Sequence, residues 1–472
     1  MSQIKFGTDG WRAVTADAFT FDNLDRVAQA TADFWKRNPV PGTDAKVVIG
    51  YDRRFLADQF AARSAEILAG NGFQVILTDA PTPTPAVSFE VKRNKAVGGI
   101  MLTASHNPPI FNGFKIKAHY GGSADPAICR GIESRLDRSR LKSIPLASGK
   151  KNKSIQIRSL LPSYLSALKK RVDFPLISKS KLRFAHDALF GVGAGMFDEL
   201  LKNTQCRVTT LNGQNNPGFG GINPEPILSN YGLSQAYLKK NPHDVCLVTD
   251  GDADRVGGMD GRGNYLSAHQ IICLLLFHLI HNRNMSGRVI KALTTSSMVD
   301  KLCDYYGMEL VETGVGFKYI CEEMLKGDVL LGAEESGGIG FKGHIPERDG
   351  ILAGLMLLEL LAVSQKSIGQ LCAKLTRRFG PHCYGRIDTR YPLEKRGELM
   401  EFCRDSPPDK LNRSPIETIK TFDGVKYIAR DGSWLMIRGS GTEPILRIYA
   451  ETTSDTGVEK LLKQGVRLIR QV

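Results

Sequence analysis

A short loop after an apolar run carries a hydroxyl, an imidazole and an amide side by side. The run 97–102 has the composition of a buried strand, and Ser105, His106 and Asn107 follow it before two prolines end any regular element. We therefore expect Ser105 at the carboxyl end of a strand, which is where open α/β sheets bind ligands. We interpret its hydroxyl as the candidate reacting group. The same residues would also cap backbone groups at a strand-to-turn junction, and this motif alone does not separate the two interpretations.

Three aspartates stand at alternate positions directly after a second apolar run, 245–249. Asp250, Asp252 and Asp254 are close enough to repel one another unless a cation neutralises them, and hard oxygen ligands on a short loop suit Mg²⁺. A calcium-binding EF-hand loop would need glycine at its sixth position and glutamate at its twelfth, where this chain has arginine and glycine. The spacing therefore favours a magnesium site over an EF-hand or a solvated acidic turn.

A third candidate site is a glycine-rich turn between two strand-like runs late in the sequence. The turn and its flanks combine cationic, hydroxyl and glycine residues: Arg438, Ser440, Gly441, Thr442 and Arg447. An arginine fork, hydroxyls and inward-pointing backbone N–H groups are what a phosphate requires. A plain β-hairpin has the same pattern, so the turn alone leaves both interpretations open.

Two further loops carry polar groups at positions that suit a ligand. The glycine-rich turn 313–318 ends on the cation Lys318. Glu334 and Ser336 follow the short apolar run 329–331 and, at a spacing of two, fall on one side of an extended loop. A carboxylate and a hydroxyl so placed can hold vicinal sugar hydroxyls, although a solvated acidic turn has the same composition.

Taken in order, three motifs resemble those of the α-D-phosphohexomutase superfamily, which includes phosphoglucomutases, phosphomannomutases and phosphoglucosamine mutases. They are Thr-Ala-Ser-His-Asn-Pro at 103–108, Asp-Gly-Asp-Ala-Asp-Arg at 250–255 and Arg-Gly-Ser-Gly-Thr-Glu-Pro at 438–444. The resemblance covers nearly the whole chain, from 6–12 to the C-terminal region. It implies a phosphate carried on Ser105, and Mg²⁺ held by Asp250, Asp252, Asp254 and the phosphate oxygen on Ser105.

The resemblance also implies roles for further residues. Arg12 is expected to contact the phosphoserine loop and Arg255 to orient the phosphoserine, while His106 and Lys115 are the candidates for proton transfer and charge stabilisation. The expected substrate-binding residues are Arg12, Lys318, Glu334, Ser336, His344, Arg438, Ser440, Gly441, Thr442 and Arg447.

One position departs from the family pattern. In the phosphomannomutase/phosphoglucomutase branch a histidine often follows the Glu-x-Ser-Gly of the sugar-recognition loop, where this chain has Gly338. His344 lies in a segment, 344–350, that looks like the corresponding segment of glucomutases, and it is the candidate to replace the missing proton-transfer group. This likeness favours glucose over mannose as the substrate.

The activity implied by the resemblance is a mutase that interconverts hexose 1-phosphate and hexose 6-phosphate. The reaction would pass through a 1,6-bisphosphate that turns over in the site, with glucose 1,6-bisphosphate as activator. Three alternatives stay open: a glucose 1,6-bisphosphate synthase that uses another sugar bisphosphate as donor, a phosphoglucosamine mutase, and a non-catalytic sugar-phosphate sensor. The intact serine and the three aspartates disfavour the sensor.

The elements that must position these residues begin with strands near 46–51, 74–78 and 97–102 and a helix over 58–69. The prolines of 81–85 predict an extended connection, and the small, polar and basic stretch 146–154 predicts a linker. Further elements are expected at 182–186 as a strand, and at 268–282 and 456–471 as helices.

The expected fold class is α/β. Three similar mixed α/β domains, 1–150, 151–258 and 259–372, and a smaller α+β domain, 373–472, are expected to surround a central active-site cleft. A chain of 472 residues is too long for one core, and its 42% hydrophobic and 24% charged residues are typical of a soluble globular protein.

Cysteine usage and apolar runs indicate the compartment. The nine cysteines are scattered and include no Cys-x-x-Cys pair, so neither a disulfide framework nor a structural zinc site is indicated. We expect no signal peptide, since 1–5 lacks an apolar core, and the apolar runs 271–280 and 351–363 are too short to span a bilayer. A cytoplasmic protein is expected.

The net charge of +14 invites a nucleic-acid interpretation, so its location matters. Most of the imbalance lies between 130 and 183, where the local excess is +12. This segment has no aromatic stacking platform and no nucleic-acid-binding motif, and we expect a solvated face that attracts anionic substrates. The expected partners are therefore small-molecule sugar phosphates, with no nucleic acid and no membrane, and the expected assembly is a monomer or a homodimer.

Overall fold

The structure, a computed structural model, describes residues 4–7, 9–439 and 445–471. The backbone forms two compact units. The first contains the described residues up to Gly287 together with Gly316–Ile368, and the second contains Arg288–Val315 and the described residues from Gly369 onward. The serine loop, the three aspartates and the Glu334 loop all belong to the first unit.

A six-stranded sheet carries the serine loop. Its strands are β1 Trp11–Val14, β2 Asp44–Tyr51, β3 Gln74–Thr78, β4 Ala96–Leu102, β5 Phe111–Ala118 and β6 Ile155–Arg158, in the order β1-β5-β4-β2-β3-β6. Its helices are α1 Phe21–Arg37, α2 Ala57–Gly70, α3 Thr84–Arg93, α4 Pro126–Glu133 and α5 Leu146–Lys151. Strands β4, β2, β3 and β6 run parallel, and β5 returns antiparallel between β4 and β1.

Apolar residues at alternate positions of β2 face opposite sides of this sheet. Val47 and Ile49 pack in the cluster that contains residues of α1 and α2, and Val48 packs with Val87 and Val91 of α3. A strand buried on both faces reads as a continuous apolar run, which is why this part of the fold is predictable from sequence. The predicted strands and the predicted helix 58–69 are confirmed.

Two expectations for this region are wrong. Residues 146–151 form α5 and Ile155–Arg158 pair parallel with β3, so the stretch 146–154 is not a linker and the first sheet extends beyond residue 150. The short edge strand β6 has little apolar signal of its own. The extended connection 81–85 ends at Pro83, because helix α3 begins at Thr84 and accepts Pro85 in its first turn, where no backbone N–H is needed.

A five-stranded sheet carries the three aspartates. Its strands are β7 Arg183–Asp187, β8 Arg207–Leu211, β9 Val245–Thr249, β10 Val256–Asp260 and β11 Tyr265–Leu266, in the order β11-β10-β9-β7-β8. Its helices are α6 Leu161–Lys169, α7 Phe174–Lys179, α8 Met196–Leu201 and α9 Gly232–Lys240, with 3₁₀ turns at Phe219–Gly221 and Leu228–Asn230. The sheet continues through β11, so the expected boundary at residue 258 falls inside it.

The third group of strands contains one parallel pair and one antiparallel pair. Strands β12 Arg288–Ala292 and β13 Leu310–Thr313 run parallel around α11 Met298–Tyr306, and β14 Val329–Ala333 and β15 Ile339–Phe341 form an antiparallel hairpin. Nearby helices are α10 Ala268–Phe277, which continues as a π-helical turn His278–Asn282, α12 Phe317–Leu325 and α13 Gly350–Ser364. The first pair belongs to the second compact unit and the hairpin to the first. The expected domain 259–372 is therefore divided between the two units.

The C-terminal part is an antiparallel sheet with helices. Its strands are β16 Cys383–Arg390, β17 Lys410–Leu411, β18 Ser414–Lys420, β19 Val425–Ala429, β20 Trp434–Gly439 and β21 Ile445–Thr452, in the order β16-β21-β20-β19-β18-β17. Its helices are α14 Ile368–Phe379, α15 Arg396–Asp405 and α16 Asp455–Leu468. Helix α14 crosses residue 372, so the expected boundary there is displaced. The α+β class of this part and its C-terminal amphipathic helix are confirmed.

Among the described residues, no single helix has the length and apolar composition needed to cross a membrane, and only the bent pair α13 and α14, counted together, meets that measure. None of the nine cysteines, all of which lie in the described part of the chain, forms a disulfide bond.

Candidate functional site

Ser105 lies in the loop that leaves the carboxyl end of β4. Its side chain is buried, and its backbone adopts a left-handed conformation with φ +52°. Such a conformation is uncommon for a residue other than glycine and needs support from its surroundings. The backbone N–H of Ser105 donates to Thr103 Oγ1 at 2.8 Å, and its Oγ donates to Asp250 Oδ2 at 2.8 Å. The structure thus brings the candidate hydroxyl directly to the first of the three aspartates.

Arg54, in the loop that follows β2, binds the backbone of the serine loop. Its guanidinium donates to the backbone carbonyls of Ser105, Asn107, Pro108 and Phe111 at 2.7–2.9 Å. One buried cation therefore satisfies four carbonyls of the loop. Because the carboxyl ends of neighbouring parallel strands meet at one sheet edge, the position of Arg54 after β2 was the available sequence signal, and it was missed.

Asp52 is the counterion of Arg54. It accepts from Arg54 Nε at 3.1 Å and from Thr103 Oγ1 at 2.5 Å, and both side chains of the ion pair are fully buried. Burial raises the pKa of Asp52 to about 6, against the opposing attraction of Arg54. The pair therefore supports the serine loop with a carboxylate that is costly to ionise.

This raised pKa predicts a pH-dependent stability difference between the protein and Asp52→Asn. Between the unfolded pKa of about 4 and the folded pKa of about 6 the folded state binds more protons at Asp52 than the unfolded state. The stability of the wild type relative to D52N therefore falls as pH rises, by at most about 3 kcal/mol, and becomes level only about one unit above the folded pKa. Chemical denaturation of both proteins at steps between pH 4 and pH 7 measures the difference. Parallel pH profiles would show that Asp52 does not titrate in this window.

The three aspartates follow β9 and are completely buried. One oxygen from each lies within 4.8 Å of the others, which is close enough for a single cation. Asp250 Oδ1 accepts the backbone N–H groups of Asp254 and Arg255 at 3.0 and 3.1 Å, so the loop folds around its first carboxylate. The spacing of alternate aspartates thus produces a convergent oxygen cluster, as predicted.

The donor set of this cluster fits Mg²⁺. In the part of the chain that the structure describes, Asp252 Oδ1 and Asp254 Oδ1 are buried and accept no hydrogen bond. Burial, followed by the two neighbouring carboxylates, raises the pKa of Asp250 well above its usual range. Buried carboxylate oxygens without donors are costly unless a cation meets them, and hard oxygen ligands suit Mg²⁺.

Lys115, on β5, is a buried cation that contacts two of the three aspartates. Its Nζ lies 2.9 Å from Asp252 Oδ2, 3.4 Å from Asp254 Oδ2 and 2.8 Å from Asp9 Oδ2. Burial alone would lower the pKa of Lys115, but the three carboxylates outweigh it and raise the pKa above its usual value. Lys115 is therefore a fixed cation, which favours charge stabilisation over proton transfer between the two expected roles.

The pKa of Asp252 is lowered although burial would raise it, because Lys115 and the hydroxyl of Thr84 stabilise the carboxylate. Thr84 begins helix α3 and donates to Asp252 Oδ2 at 2.6 Å. Thr84 and Asp9 are further site residues that sequence reasoning missed.

Glu334 and Ser336 lie together in the loop between β14 and β15. Ser336 Oγ donates to Glu334 Oε1 at 2.9 Å, and Arg348 Nη1 donates to the same oxygen at 3.1 Å. The loop 250–255, which carries the three aspartates, is called the metal loop below. The Glu334 loop contacts the end of the metal loop, since Val256 N–H donates to the carbonyl of Gly337 at 3.0 Å. The spacing of two therefore produces a carboxylate–hydroxyl pair, and the missed residue here is Arg348.

Arg12, His106 and Arg255 surround the serine loop. Arg12 Nη1 donates to Asn107 Oδ1 at 2.6 Å, which is the contact expected of it. Burial, followed by the charges of Arg255 and Arg12, lowers the pKa of His106 well below its usual value, and its buried Nδ1 has no hydrogen-bond partner among the residues described. Arg255 Nε lies 3.9 Å from Asp254 Oδ1 and donates no hydrogen bond within the described chain, which leaves it able to meet an anion.

His344 and Lys318 lie elsewhere in the first unit. His344 Nε2 lies 2.9 Å from Asp349 Oδ2, and its ring stacks on Phe89. Asp349, the residue that His344 contacts, caps the N-terminus of α13, and the expected substrate contact of His344 stays a prediction. Lys318 lines a cavity of about 310 Å³ together with Asp9.

Arg438 and Arg447, which flank the glycine-rich turn near the C-terminal end of the sequence, belong to the second unit. Arg438 on β20 and Arg447 on β21 are directly opposed in the strand register. Arg438 Nε lies 3.1 Å from both oxygens of Asp423, and Arg447 Nε lies 3.5 Å from Asp388 Oδ2. The hairpin interpretation is thus confirmed for its two strands. Ser440, Gly441 and Thr442 lie outside the described residues.

Comparison with known families gives four matches along the chain. Residues 3–142 match the phosphoglucomutase/phosphomannomutase α/β/α domain I, 162–263 match domain II, 267–379 match domain III and 406–470 match the C-terminal domain. Together the four models cover most of the sequence in the order of the family.

Individual proteins agree with these matches. A solved structure from Thermus thermophilus, assigned provisionally as a phosphomannomutase, is 34% identical, covers 99% of each chain and has a TM-score of 0.87. A phosphoglucomutase from Komagataeibacter xylinus is 27% identical over 95% of this chain and 87% of its own. A phosphoglucosamine/phosphogalactosamine mutase from Sulfurisphaera tokodaii is 28% identical over 98% of each chain.

Proposed function

Because this chain belongs to the phosphoglucomutase/phosphomannomutase family of the α-D-phosphohexomutase superfamily, whose members are enzymes of phosphoryl transfer, we propose that it interconverts hexose 1-phosphates and hexose 6-phosphates through a phosphorylated Ser105. The observation that carries this proposal is the contact of 2.8 Å between Ser105 Oγ and Asp250, beside two buried carboxylate oxygens that accept no hydrogen bond within the described chain. A hydroxyl so placed becomes, once phosphorylated, a phosphate next to a cation site.

In the forward direction, O6 of a bound hexose 1-phosphate attacks the phosphorus on Ser105. The O6–P bond forms, the Oγ–P bond breaks, and the proton of the sugar hydroxyl leaves to a base. His106, with its unpartnered Nδ1, is our candidate base, and Lys115 and Arg255 stabilise the charge of the transferring group. Mg²⁺ held by Asp250, Asp252 and Asp254 would neutralise charge on the phosphoryl oxygens.

The resulting 1,6-bisphosphate turns over and returns its other phosphate to Ser105. The site must therefore accept either end of the sugar. Glu334 and Ser336 are proposed to hold the ring hydroxyls in both orientations, and Arg438 and Arg447, with the turn 440–442, are proposed to bind the phosphate that does not react. Glucose is the favoured hexose, because the segment 344–350 looks like that of glucomutases.

Phosphorus NMR of glucose 1-phosphate tests the proposal directly. The protein is incubated with Mg²⁺ and a trace of glucose 1,6-bisphosphate, and glucose 6-phosphate is expected to appear at a catalytic rate. Mannose 1-phosphate and glucosamine 1-phosphate in parallel samples rank the substrates, since relatives with these different names match to similar extents. No conversion of any of the three would contradict the mutase proposal, and bisphosphate accumulating with fructose 1,6-bisphosphate as donor would favour the synthase.

The nine free thiols fit a reducing compartment, so we place the reaction in the cytoplasm.

Arg54→Lys is expected to lower kcat about 10- to 100-fold while KM changes by less than about threefold. A single ammonium cannot donate to four carbonyls at once, so the serine loop loses its fixed position although the charge beside Asp52 remains. Steady-state kinetics of the mutase reaction measure the effect. Arg53→Lys is the matched control, because the neighbouring Arg53 bonds to the carbonyl of Gly213 outside the serine loop. Equal effects at the two positions would refute the positioning role of Arg54.

A further inference from the structure

Arg348 is a buried arginine that lies among four carboxylates. Its Nη2 lies 2.7 Å from Asp9 Oδ2 and 2.8 Å from Asp254 Oδ2, and its Nη1 lies 3.1 Å from Glu334 Oε1. Its Nε lies 3.6 Å from the carboxylate of the adjacent Glu347. One side chain thus joins the N-terminal loop, the metal loop and the loop that carries Glu334.

The space beside Glu334 is filled by this arginine. A Cβ added at Gly338 would lie 2.4 Å from Arg348 Cδ, 2.9 Å from Arg348 Cγ and 2.9 Å from Glu334 Oε1, the oxygen that Arg348 holds, and all three distances are closer than real Cβ contacts allow. The backbone of Gly338 has no positive φ, so its conformation does not require glycine. The absent side chain at this position, where histidine is often found in the family, is explained by the arginine that occupies the volume.

We propose that Arg348 is a positioning residue that couples the sugar-recognition loop to the metal loop, and that its side chain is the reason for glycine at 338. This inference rests on the proposed function, because it assigns Glu334 to the sugar and Asp254 to the metal. Arg348 acts here as a fixed cation beside Glu334 and not as a proton-transfer group.

The coupling follows from which oxygens Arg348 occupies. Glu334 Oε1 is engaged by Arg348 and Ser336, and no hydrogen bond within the described chain uses Oε2, which leaves Oε2 for sugar hydroxyls. Asp254 Oδ2 is engaged by Arg348 and Lys115, and its Oδ1 is left for the metal. Arg348 therefore fixes the orientation of one carboxylate in each loop.

A lysine at 348 would keep the positive charge but lose the two-pronged geometry, because an ammonium is a point charge and a guanidinium is a planar fork. Nη1 of Arg348 contacts Glu334 and Nη2 contacts Asp254, so a lysine can contact one of these two carboxylates but not both. Arg348→Lys thus separates the coupling from simple charge balance.

The first test is kinetic. R348K is expected to raise, by at least about tenfold each, both the KM for the sugar phosphate and the Mg²⁺ concentration that gives half-maximal activity. Glu334→Gln is expected to raise the KM alone. Arg283→Lys is the control for loss of an arginine fork elsewhere in the first unit, where Arg283 contacts Glu359 and the carbonyl of Arg171. An R348K enzyme in which only one of the two constants changes would overturn the coupling.

The second test is a double-mutant cycle read by thermal unfolding, which needs no activity. Gly338→Ala is expected to lower Tm by several degrees in the wild-type background and to have a clearly smaller effect when Arg348 is alanine, because the Cβ then meets only Glu334 Oε1, which Arg348 no longer holds in place. Equal decreases in both backgrounds would overturn the explanation of Gly338. If R348A does not fold, the kinetics of R348K still decide the coupling.

A wild type without mutase activity but with the expected cycle would contradict the proposed function alone, whereas an active wild type with an additive cycle would contradict this inference alone.

Discussion

Replacing Ser105 by alanine is expected to abolish mutase turnover, lowering kcat by at least about 10⁴-fold. The hydroxyl is the atom that we propose to carry the phosphate between the two ends of the sugar, and the other hydroxyl of the loop, that of Thr103, is engaged by Asp52. Covalent catalysis divides the transfer into two steps at one nucleophile, so its loss is not compensated by binding. The buried position of Ser105 beside Asp250 gives the phosphate a defined location.

The variant is expected to stay folded, since it loses one hydrogen bond, worth about 1 kcal/mol. Ser88→Ala is the matched control, because Ser88 is also buried and its Oγ has no hydrogen-bond partner in the described chain. Intact-protein mass spectrometry after incubation with glucose 1,6-bisphosphate provides a second measurement. The wild type and S88A should gain the mass of one phosphate, and S105A should not. An S105A protein that keeps full turnover would refute the phosphoserine mechanism.

The parts of the site that sequence reasoning predicted are those in which neighbouring residues carry both the signal and the chemistry. Asp250, Asp252 and Asp254 are two apart after an apolar strand, and like charges at that spacing are by themselves enough to predict a cation. Ser105 was placed correctly at a strand end because strand composition and the following prolines are local features. Ser105 Oγ and Asp250 Oδ2 lie 2.8 Å apart, and this contact joins two loops that no sequence pattern relates.

Arg348 could not be found in this way, because its function depends on contacts far apart in the sequence. The strand-end position of Arg54 was a local signal, but its contacts with the carbonyls of the serine loop were not. Arg348 and Asp9 are 339 positions apart, and no period or spacing relates them. Gly338 was noticed as a departure from the family pattern, but its meaning depends on the side chain that fills the space. His344 is close in sequence to the loop that carries Glu334, but proximity in sequence does not determine where a ring nitrogen bonds, and its Nε2 meets Asp349.

The expected linker at 146–154 failed for a related reason. A composition change such as 146–154 predicts a linker only when the flanking elements fold separately, and here β6 pairs with β3 of the preceding sheet. Long-range strand pairing decides which elements belong together, and a short edge strand has almost no local signal. The central strands were predicted because both of their faces are buried.

Replacing Asp252 by asparagine is expected to lower kcat/KM by about 10²–10⁴-fold and to raise the Mg²⁺ concentration needed for activity. Asp252 Oδ1 is one of the two buried oxygens of the aspartate cluster that accept no hydrogen bond within the described chain, and an amide offers a neutral oxygen where the proposed cation needs a charged one. The amide also removes the charge that Lys115 and Thr84 now stabilise, at 2.9 and 2.6 Å.

Asp260→Asn is the matched control, because Asp260 ends the neighbouring strand β10 and accepts only the local N–H groups of a turn. Calorimetric titration with Mg²⁺ separates the metal effect from the chemistry, since it needs no substrate. D252N should bind Mg²⁺ at least about tenfold more weakly than D260N, and chelation with EDTA should reduce the wild type to the activity of D252N. If D252N binds Mg²⁺ as tightly as the control, the cation is not held by this oxygen, and the buried aspartates would have to be explained by Lys115 and Arg348 alone.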